Sequence, residues 1–218
     1  KDDIFIYKKW LSNSKKIFNL ISKTNKKNYF INIGSIKEFM NPDNFIHNKT
    51  KKKYDLYSMY KYKFSSFLNK KNLDKTIIHN IYLSPVYGEY INSGIVYQSC
   101  KAIIKNKRFK VQSKNSIRSF LYINDLFTGL NNIMLNKHKK INNTIFTSNE
   151  YKSIEQLMIK QFKVNKKIHN LILLDNNNDK FRDMSELLSS NYNIYKFINY
   201  TKFDKGYNKT LKWLKENG

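Results

Sequence analysis

The sequence predicts a layered α/β domain built around a parallel β-sheet. Segments with apolar residues three and four positions apart alternate along the chain with short, nearly continuous apolar runs. The first pattern is typical of helices that bury one face, and the second is typical of strands covered on both faces. Helices that alternate with buried strands favour crossover connections, which place neighbouring strands parallel.

The first half of the chain shows this alternation most regularly. In chain order its predicted elements are a helix at 4–23, a strand at 29–35, a loop at 36–53 around Asn41-Pro42-Asp43, a helix that contains Tyr57 and runs to about residue 70, a strand at 76–84 and a loop at 85–94. Glycine, proline and asparagine punctuate the loops, as expected for turns.

The second half is less regular, which indicates an attached lobe. Its predicted elements are a helix at 94–106, a strand at 109–111, an apolar segment at 116–135, a strand at 143–148, a helix at 153–163, a strand at 168–174, a polar asparagine run at 176–178 and a helix at about 203–216. A chain of 218 residues is long enough for one sizeable domain and a small lobe.

The chain is strongly basic, with 41 lysines and arginines against 16 acidic residues. Such a balance is typical of proteins that bind nucleic acid or an anionic membrane surface. Only three of the basic residues are arginine, however, whereas phosphate and base recognition favours the bidentate guanidinium. The excess of lysine, asparagine and isoleucine, with Ala102 as the only alanine, indicates an AT-rich coding bias. We expect no nucleic-acid partner, and a basic polyanion- or RNA-binding protein without catalysis remains the alternative from another class.

Several other kinds of site are disfavoured by composition. The lone Cys100 excludes a disulfide framework within the chain and a multi-cysteine zinc site, which fits a reducing, cytoplasmic setting. The four histidines have no metal-ligand spacing, so no metal is predicted. No stretch approaches the roughly 18 to 20 apolar residues that span a bilayer, so no membrane partner is predicted.

A candidate acid/base pair lies in the helix that follows the loop at 36–53. Tyr57 and Lys61 are four residues apart, so their side chains share one face of the helix. Ser35 lies at the carboxyl end of one predicted strand, and residues 84–87 lie at the end of the next. Ligand crevices of open parallel sheets lie outside the carboxyl ends of the strands, so these groups are expected to converge on one crevice.

Five stretches in chain order carry a more specific pattern. They are FINIGSIKEF around Ser35, YSMYK with Tyr57 and Lys61, YLSPVYG at 82–88, RSFLYINDL at 118–126, and FDKGYNKTLKWLKEN at 203–217 with Gly206 and Trp213. In this order they resemble the extended short-chain dehydrogenase/reductase family, the NAD(P)-dependent sugar-nucleotide epimerases and dehydratases. The resemblance covers essentially the whole chain.

The resemblance implies a Rossmann-like parallel sheet with a smaller carboxyl-terminal α+β lobe for substrate. Residues 1–90 would be the later part of the NAD(P)-binding domain, and residues 91–218 mainly the substrate lobe, with the strand near 143–148 returning to the sheet. The family's glycine-rich fingerprint receives the pyrophosphate at a helix N-terminus. No pair among the six glycines has its spacing, so we expect the chain to lack roughly the first four strands of the fold.

The resemblance also implies roles for individual residues. The catalytic group would be Ser35, Tyr57 and Lys61, and NAD or NADP would be held by Ile33, Tyr57, Lys61, Tyr82 and Ser84. The nucleotide-sugar substrate would be held by Ser35, Ser84, Pro85 and Arg118, whose guanidinium would grip the phosphates. A homodimer formed through the Tyr-Lys helix is expected by the same resemblance.

The reaction type depends on the residues that follow Ser35. The family's 4,6-dehydratases place acidic residues directly after the catalytic serine or threonine, where this chain has Ile36 and Lys37. Glu38 comes next, but in an extended segment a shift of one residue turns its side chain to the opposite face. We therefore expect an epimerase or ketoreductase with hydride transfer at sugar C4 and Tyr57 as acid/base, with a 4,6-dehydratase as the alternative. A catalytically inactive scaffold is a third interpretation.

Overall fold

The computed structural model describes residues 2–24, 26–38, 56–71, 75–135, 141–148, 150–174 and 199–218. These residues form two compact units. The first unit runs to Leu83 and takes in Leu135 and residues 141–145, and the second holds Ser84–Met134 and the described residues from Phe146 onward.

The helices and strands alternate along the chain. The helices are α1 (Asp2–Ser22), α2 (Leu56–Asn69), α3 (Gly94–Ile104), α4 (Ile123–Leu135), α5 (Ile154–Val164) and α6 (Phe203–Asn217). The strands are β1 (Asn28–Ser35), β2 (Thr76–Leu83), β3 (Val86–Tyr87), β4 (Phe109–Val111), β5 (Ile117–Arg118), β6 (Leu121–Tyr122), β7 (Ile141–Phe146), β8 (Lys152–Ser153) and β9 (Leu171–Leu173). Short 3₁₀ turns occupy Ile36–Glu38 and Ile168–Asn170.

The first unit contains a sheet with the strand order β1-β2-β7. Strands β1 and β2 are parallel, with their register running from Asn28 opposite Thr76 to Ser35 opposite Leu83. Seven of the eight residues of β2 are buried, as expected for a central strand covered on both faces. The register brings the carboxyl ends of β1 and β2 to the same edge, where the first candidate residues lie.

Aromatic side chains hold α1 and α2 against this sheet. Phe18 of α1 and Phe64 and Leu68 of α2 form a buried cluster with Ile78 of β2. The Phe18 ring meets the Phe30 ring edge to face, with 4.9 Å between their centroids. Such pairs contribute about 1 kcal/mol beyond the area that they bury. The helix that carries Tyr57 and Lys61 is therefore fixed against the strand that carries Ser35.

The second unit has its own core, in which a glycine allows a close helix contact. A Cβ atom at Gly206 of α6 would collide with the hydroxyl of Tyr87 on β3 and with the Tyr122 ring. The Tyr87 hydroxyl donates a hydrogen bond of 3.2 Å to the carbonyl of Phe203. Trp213 packs on Tyr90, with 4.9 Å between the ring centroids. Strand β3 and the closing helix therefore pack together within this unit.

The α/β fold with a parallel sheet is confirmed, and most element bounds agree to within two residues. Three segments differ. Residues 85–94 were expected to be loop but include β3, the predicted strand at 168–174 is strand only at Leu171–Leu173, and Glu38 lies in a 3₁₀ turn instead of an extended segment. Asn41-Pro42-Asp43 and the asparagine run at 176–178 lie outside the described residues. Strand β7 lies in the sheet. The assignment of residues 1–90 to NAD(P) binding and of residues 91–218 mainly to substrate binding stays a prediction. Within the described ranges, no helix has the length and apolar character needed to cross a membrane.

Candidate active site

Ser35 is the last residue of β1, and the chain turns sharply behind it. The Ser35 backbone N–H donates a 2.7 Å hydrogen bond to Oε1 of Glu38. The Ser35 hydroxyl oxygen accepts a longer bond, 3.3 Å, from the backbone N–H of Lys37. Such local bonds are common where a serine follows a strand. They fix the position of Ser35 at the carboxyl edge of the sheet.

Tyr57 and Lys61 lie one helical turn apart on α2, as their spacing predicts. The Lys61 ammonium is 5.8 Å from the centroid of the Tyr57 ring, within the range of a cation–π contact. It also donates a 2.8 Å hydrogen bond to the carbonyl of Ile33, and it lies 5.1 Å from the Trp10 ring centroid. Burial lowers the pKa of Lys61 below its usual range, while the negative charge of Glu38 opposes this effect.

Tyr57 is not a core aromatic. Its side chain is 37% exposed, whereas Phe64, two turns further along the same helix, is 4% exposed. A second ammonium, from Lys37 in the turn after β1, lies 5.9 Å from the Tyr57 ring centroid. Two positive charges thus lie beside a tyrosine ring that solvent can reach.

Glu38 joins the Ser35 turn to the helix that carries the pair. It is 1% exposed, and its Oε2 atom accepts a 2.7 Å hydrogen bond from the Ser65 hydroxyl. Ser65 is four residues after Lys61, so it shares the face of α2 that carries Lys61. Burial raises the pKa of Glu38, while the hydrogen bonds from Ser65 and Ser35 and the charge of Lys61 lower it.

The prediction of an extended segment that turns Glu38 to the opposite face is wrong. It assumed an extended segment, but residues three apart in a 3₁₀ turn lie on the same side, so Glu38 reaches back to Ser35. The sequence held two signals of this contact that the prediction missed. These are the three-residue spacing from Ser35 to Glu38 and the stripe Tyr57, Lys61, Ser65 at four-residue intervals.

Gly34 makes room for this carboxylate. A Cβ atom at Gly34 would lie 2.7 Å from Oε1 of Glu38 and 2.9 Å from Cδ1 of Tyr82, which is closer than real contacts allow. Tyr82 is buried on β2, and its hydroxyl donates a 3.3 Å hydrogen bond to Oδ1 of Asn143. Ile33, the other residue of β1 predicted to bind cofactor, is 38% exposed.

The remaining predicted site residues lie in the second unit. The Ser84 backbone N–H donates a 3.0 Å hydrogen bond to the carbonyl of Phe146, while its buried hydroxyl has no hydrogen-bond partner in the described part of the chain. Pro85 is exposed, and its carbonyl accepts a 2.9 Å bond from the Leu121 N–H. Arg118 is 8% exposed, so it is not a surface cation.

Comparison with known proteins identifies the fold. No protein-family model and no curated protein matches the sequence. Among solved structures, the chain is similar to a UDP-N-acetylglucosamine 4-epimerase from Methanobrevibacter ruminantium M1 in complex with UDP-N-acetylmuramic acid. The sequence identity is 16% and the TM-score 0.67, over 94% of this chain and 68% of that one. The chain has the fold of the extended short-chain dehydrogenases/reductases.

Two further structures with this fold are similar. One is the NAD-dependent NDP-hexosamine 5,6-dehydratase TunA of tunicamycin biosynthesis, with 13% identity and a TM-score of 0.66. The other is a UDP-glucuronic acid 4-epimerase from Bacillus cereus in complex with UDP-glucuronic acid and NAD, with 16% identity and a TM-score of 0.63. They cover 88% and 86% of this chain, which spans only 64% and 62% of their lengths.

Two of the predicted site residues, one in each unit, have hydrogen-bonding capacity left for a ligand. Lys61 uses one of its three N–H donors on Ile33, and the buried Ser84 hydroxyl lacks a partner among the described residues, so both could bind a polar ligand. A pyrophosphate cradle instead needs glycines that face open space. Gly34, Gly88 and Gly206 each face side chains of their own unit. Gly94, at the start of α3, has open space beside it, but the six glycines do not form the spaced set of the family's fingerprint. Nor do the described ranges hold a group of three or more His, Cys, Asp or Glu side chains suited to a metal ion.

Proposed function

We propose that the intact protein is an NAD(P)-dependent epimerase or ketoreductase that acts on a nucleotide-linked sugar, with hydride transfer at sugar C4. The observation that carries the proposal is the placement of the Lys61 ammonium 5.8 Å from the Tyr57 ring, on a helix tied to the Ser35 turn. The fold supports it, because two similar structures are 4-epimerases in complex with UDP-sugars.

In this proposal each residue moves or holds a proton at a defined atom. Tyr57 accepts the proton of the sugar C4 hydroxyl as a carbon-bound hydrogen leaves as hydride, and it returns the proton in the reverse direction. The positive charge of Lys61 favours the phenolate that performs this step. The Ser35 hydroxyl donates a hydrogen bond to the reacting oxygen. NAD(P), when bound, supplies the hydride acceptor.

The remaining predicted residues would hold the ligands. Ile33, Lys61, Tyr82 and Ser84 would contact the nicotinamide end of the cofactor. Ser84, Pro85 and Arg118 would contact the substrate, with the Arg118 guanidinium suited to bidentate hydrogen bonds with phosphate. A homodimer formed through α2 is part of the same proposal.

The residues after Ser35 disfavour water elimination. A 4,6-dehydratase needs an additional acid and base near sugar C5 and C6, and neither Ile36 nor Lys37 has a carboxyl group. Glu38 is an acid, but its two oxygens already accept hydrogen bonds from Ser35 and Ser65. Epimerisation or keto reduction needs only the tyrosine, the lysine, the serine and the cofactor, so we favour these over dehydration.

The role of Tyr57 can be tested by removing its hydroxyl. Tyr57→Phe in the intact protein should lower kcat/KM by about 10³-fold or more, because acid/base catalysis contributes about 10²- to 10⁴-fold. Tyr62→Phe is the matched control, since Tyr62 lies on the same helix and is 38% exposed. It should retain activity. Full activity of Tyr57→Phe would remove the basis of the assignment.

The reaction type can be tested from the products. The intact protein should be incubated with NAD or NADPH and a panel of nucleotide hexoses and 4-ketohexoses, and the products identified by NMR. We expect a C4 epimer or a C4 alcohol. Release of a 4-keto-6-deoxy sugar would show dehydration and overturn the preference for epimerisation or reduction.

A further inference from the structure

A single buried carboxylate contacts both chain segments that carry the candidate catalytic side chains. We propose that Glu38 is a positioning residue, which holds the Ser35 turn against α2 and acts electrostatically on Lys61. The inference rests on the proposed function for its catalytic consequence. It goes beyond that function because it gives a role to a residue that the sequence pattern set aside.

The two oxygens of Glu38 bind different elements. Oε1 accepts from the Ser35 backbone N–H and Oε2 from the Ser65 hydroxyl, both at 2.7 Å. Hydrogen bonds to an ionised carboxylate are stronger than those between neutral groups. The Ser65 oxygen also accepts a 3.1 Å bond from Nδ2 of Asn32 on β1, which closes the link between strand and helix. A shift of α2 relative to the Ser35 turn would break at least one of these bonds.

Packing alone does not account for a carboxylate at this position. Burying an ionised carboxyl group costs free energy, and an apolar side chain of similar volume would fill the space without that cost. Gly34 leaves space for the Glu38 carboxylate, because a Cβ atom there would lie 2.7 Å from Oε1. Gly34 therefore accommodates a buried carboxylate that contributes less to stability than an apolar side chain of similar volume would.

The charge of Glu38 acts on Lys61. Among the described residues, the charge of Lys61 lowers the pKa of Glu38, and the charge of Glu38 raises the pKa of Lys61. Other described groups near the Lys61 ammonium are the Trp10 ring of α1, the Tyr57 ring of α2 and the Ile33 carbonyl of β1. Lys37, in the same turn as Glu38, faces the Tyr57 ring. Glu38 thus favours the charged form of the lysine that lies beside Tyr57.

The first test removes the charge of Glu38 and keeps its shape. In Glu38→Gln, the amide can still accept from Ser35 and donate to Ser65, so the fold should survive. Lys61 acetylation by acetic anhydride would be followed by mass spectrometry across pH, with Lys63 of the same helix as an internal control. We expect Lys61 acetylation at neutral pH to rise about threefold, because removing the negative charge of Glu38 lowers the pKa of Lys61 and increases its neutral fraction. Lys63 should not change, and the pH profile of kcat should shift in the same direction as Lys61.

The second test cuts the link to α2 and keeps the charge. Ser65→Ala should lower kcat about tenfold with KM changed less than about twofold, because small misplacements of reacting groups are costly. Lys61 acetylation should stay near that of the unaltered protein. Ser66→Ala, on the neighbouring position of α2, is the matched control and should retain kcat.

The outcomes separate the two proposals. If Glu38→Gln changes neither Lys61 acetylation nor the pH profile of kcat, Glu38 does not act on Lys61. The proposal is then wrong even if the enzyme is active. If Glu38→Gln fails to fold, an unchanged kcat in Ser65→Ala overturns the role instead. Full activity of Tyr57→Phe contradicts the proposed function, whereas Lys61 acetylation still shows whether Glu38 acts on the lysine, because it needs no turnover.

Discussion

At the scale of single residues, burial shifts the pKa values of two ionisable groups near the Ser35 turn, Glu38 and Lys61. Glu38 is almost fully buried and Lys61 is half-buried, so loss of solvent opposes ionisation of both groups. The pKa of Glu38 is raised and that of Lys61 is lowered, and each charge partly offsets the effect of burial on the other. The pair is therefore sensitive to substitution of either member.

We expect the free energy of unfolding to depend on pH through the ionisation of Glu38. Its pKa in the folded protein is raised above the ordinary value of 4.5, so the folded state holds this proton more tightly than the unfolded state does. This contribution to stability is fully present below pH 4.5 and is lost as the pH rises through the folded pKa. A difference of one pKa unit between the folded and unfolded states corresponds to about 1.4 kcal/mol in the free energy of unfolding. The free energy of unfolding of Glu38→Gln should lack this loss.

Urea denaturation at several pH values measures the effect. The stability of Glu38→Gln relative to the unaltered protein should rise between about pH 4 and pH 7. Glu216→Gln is the control, because Glu216 is an exposed residue of α6. A relative stability of Glu38→Gln that is constant with pH would contradict the raised pKa.

At the scale of secondary-structure elements, asparagine side chains link the sheet to α2. Asn80 of β2 accepts a 3.0 Å hydrogen bond from Asn32 on β1. Its own amide donates to Asn69 at the end of α2, at 2.8 Å, and to Asn143 of β7, at 2.9 Å. Asn80 is 1% exposed, so these bonds replace the hydrogen bonds to water that its side chain makes in the unfolded state. The network continues through Asn32 to Ser65 and Glu38.

Asn80→Ala should therefore lower the free energy of unfolding by about 3 kcal/mol. The substitution leaves buried polar partners without their hydrogen bonds, and each such group costs about 1 to 3 kcal/mol. Asn19→Ala, at an exposed position of α1, should change stability by less than about 0.5 kcal/mol. Chemical denaturation gives both values, and equal stabilities would show that the network contributes little.

At the scale of the whole molecule, the chain holds only part of the fold that it matches. It spans 64% of TunA, and its glycines include no fingerprint for a pyrophosphate. The dinucleotide should therefore bind well only when further strands and their glycine-rich turn complete the domain.

Residues 1–218 by themselves should bind NAD weakly or not at all. Isothermal titration calorimetry measures this directly, and the intact protein is the comparison. Micromolar binding to the 218 residues would show that the pyrophosphate is held in another way.

The intact protein should sediment as a homodimer. Helix α1 presents exposed apolar side chains, including Ile6, Ile17 and Leu20 with 58%, 55% and 68% exposure, beside the Tyr-Lys helix. Exposed apolar surface of this kind is typical of association sites. Analytical ultracentrifugation at several concentrations tests the prediction, and a monomer throughout would contradict it.

The sequence by itself determined the features that depend on local periodicity. The bounds of α1 and α2 and the shared helix face of Tyr57 and Lys61 follow from spacings within one element. The α/β class and the parallel strands follow from the alternation of such elements along the chain. A helix or buried strand repeats its pattern over several residues, so an isolated deviation does not hide it. The spacing of the six glycines likewise indicates that these residues lack the fingerprint for a pyrophosphate.

Only the tertiary structure decided how these elements are joined around Ser35. The contact between Glu38 and Ser65 joins residues 27 apart, and the contact between Lys61 and Ile33 joins residues 28 apart. No repeat in the sequence links such distant positions. The direction of the Glu38 side chain also depends on whether the chain continues extended or turns after β1, and that choice is settled by the space beside Gly34 and the Ser65 hydroxyl on the packed helix.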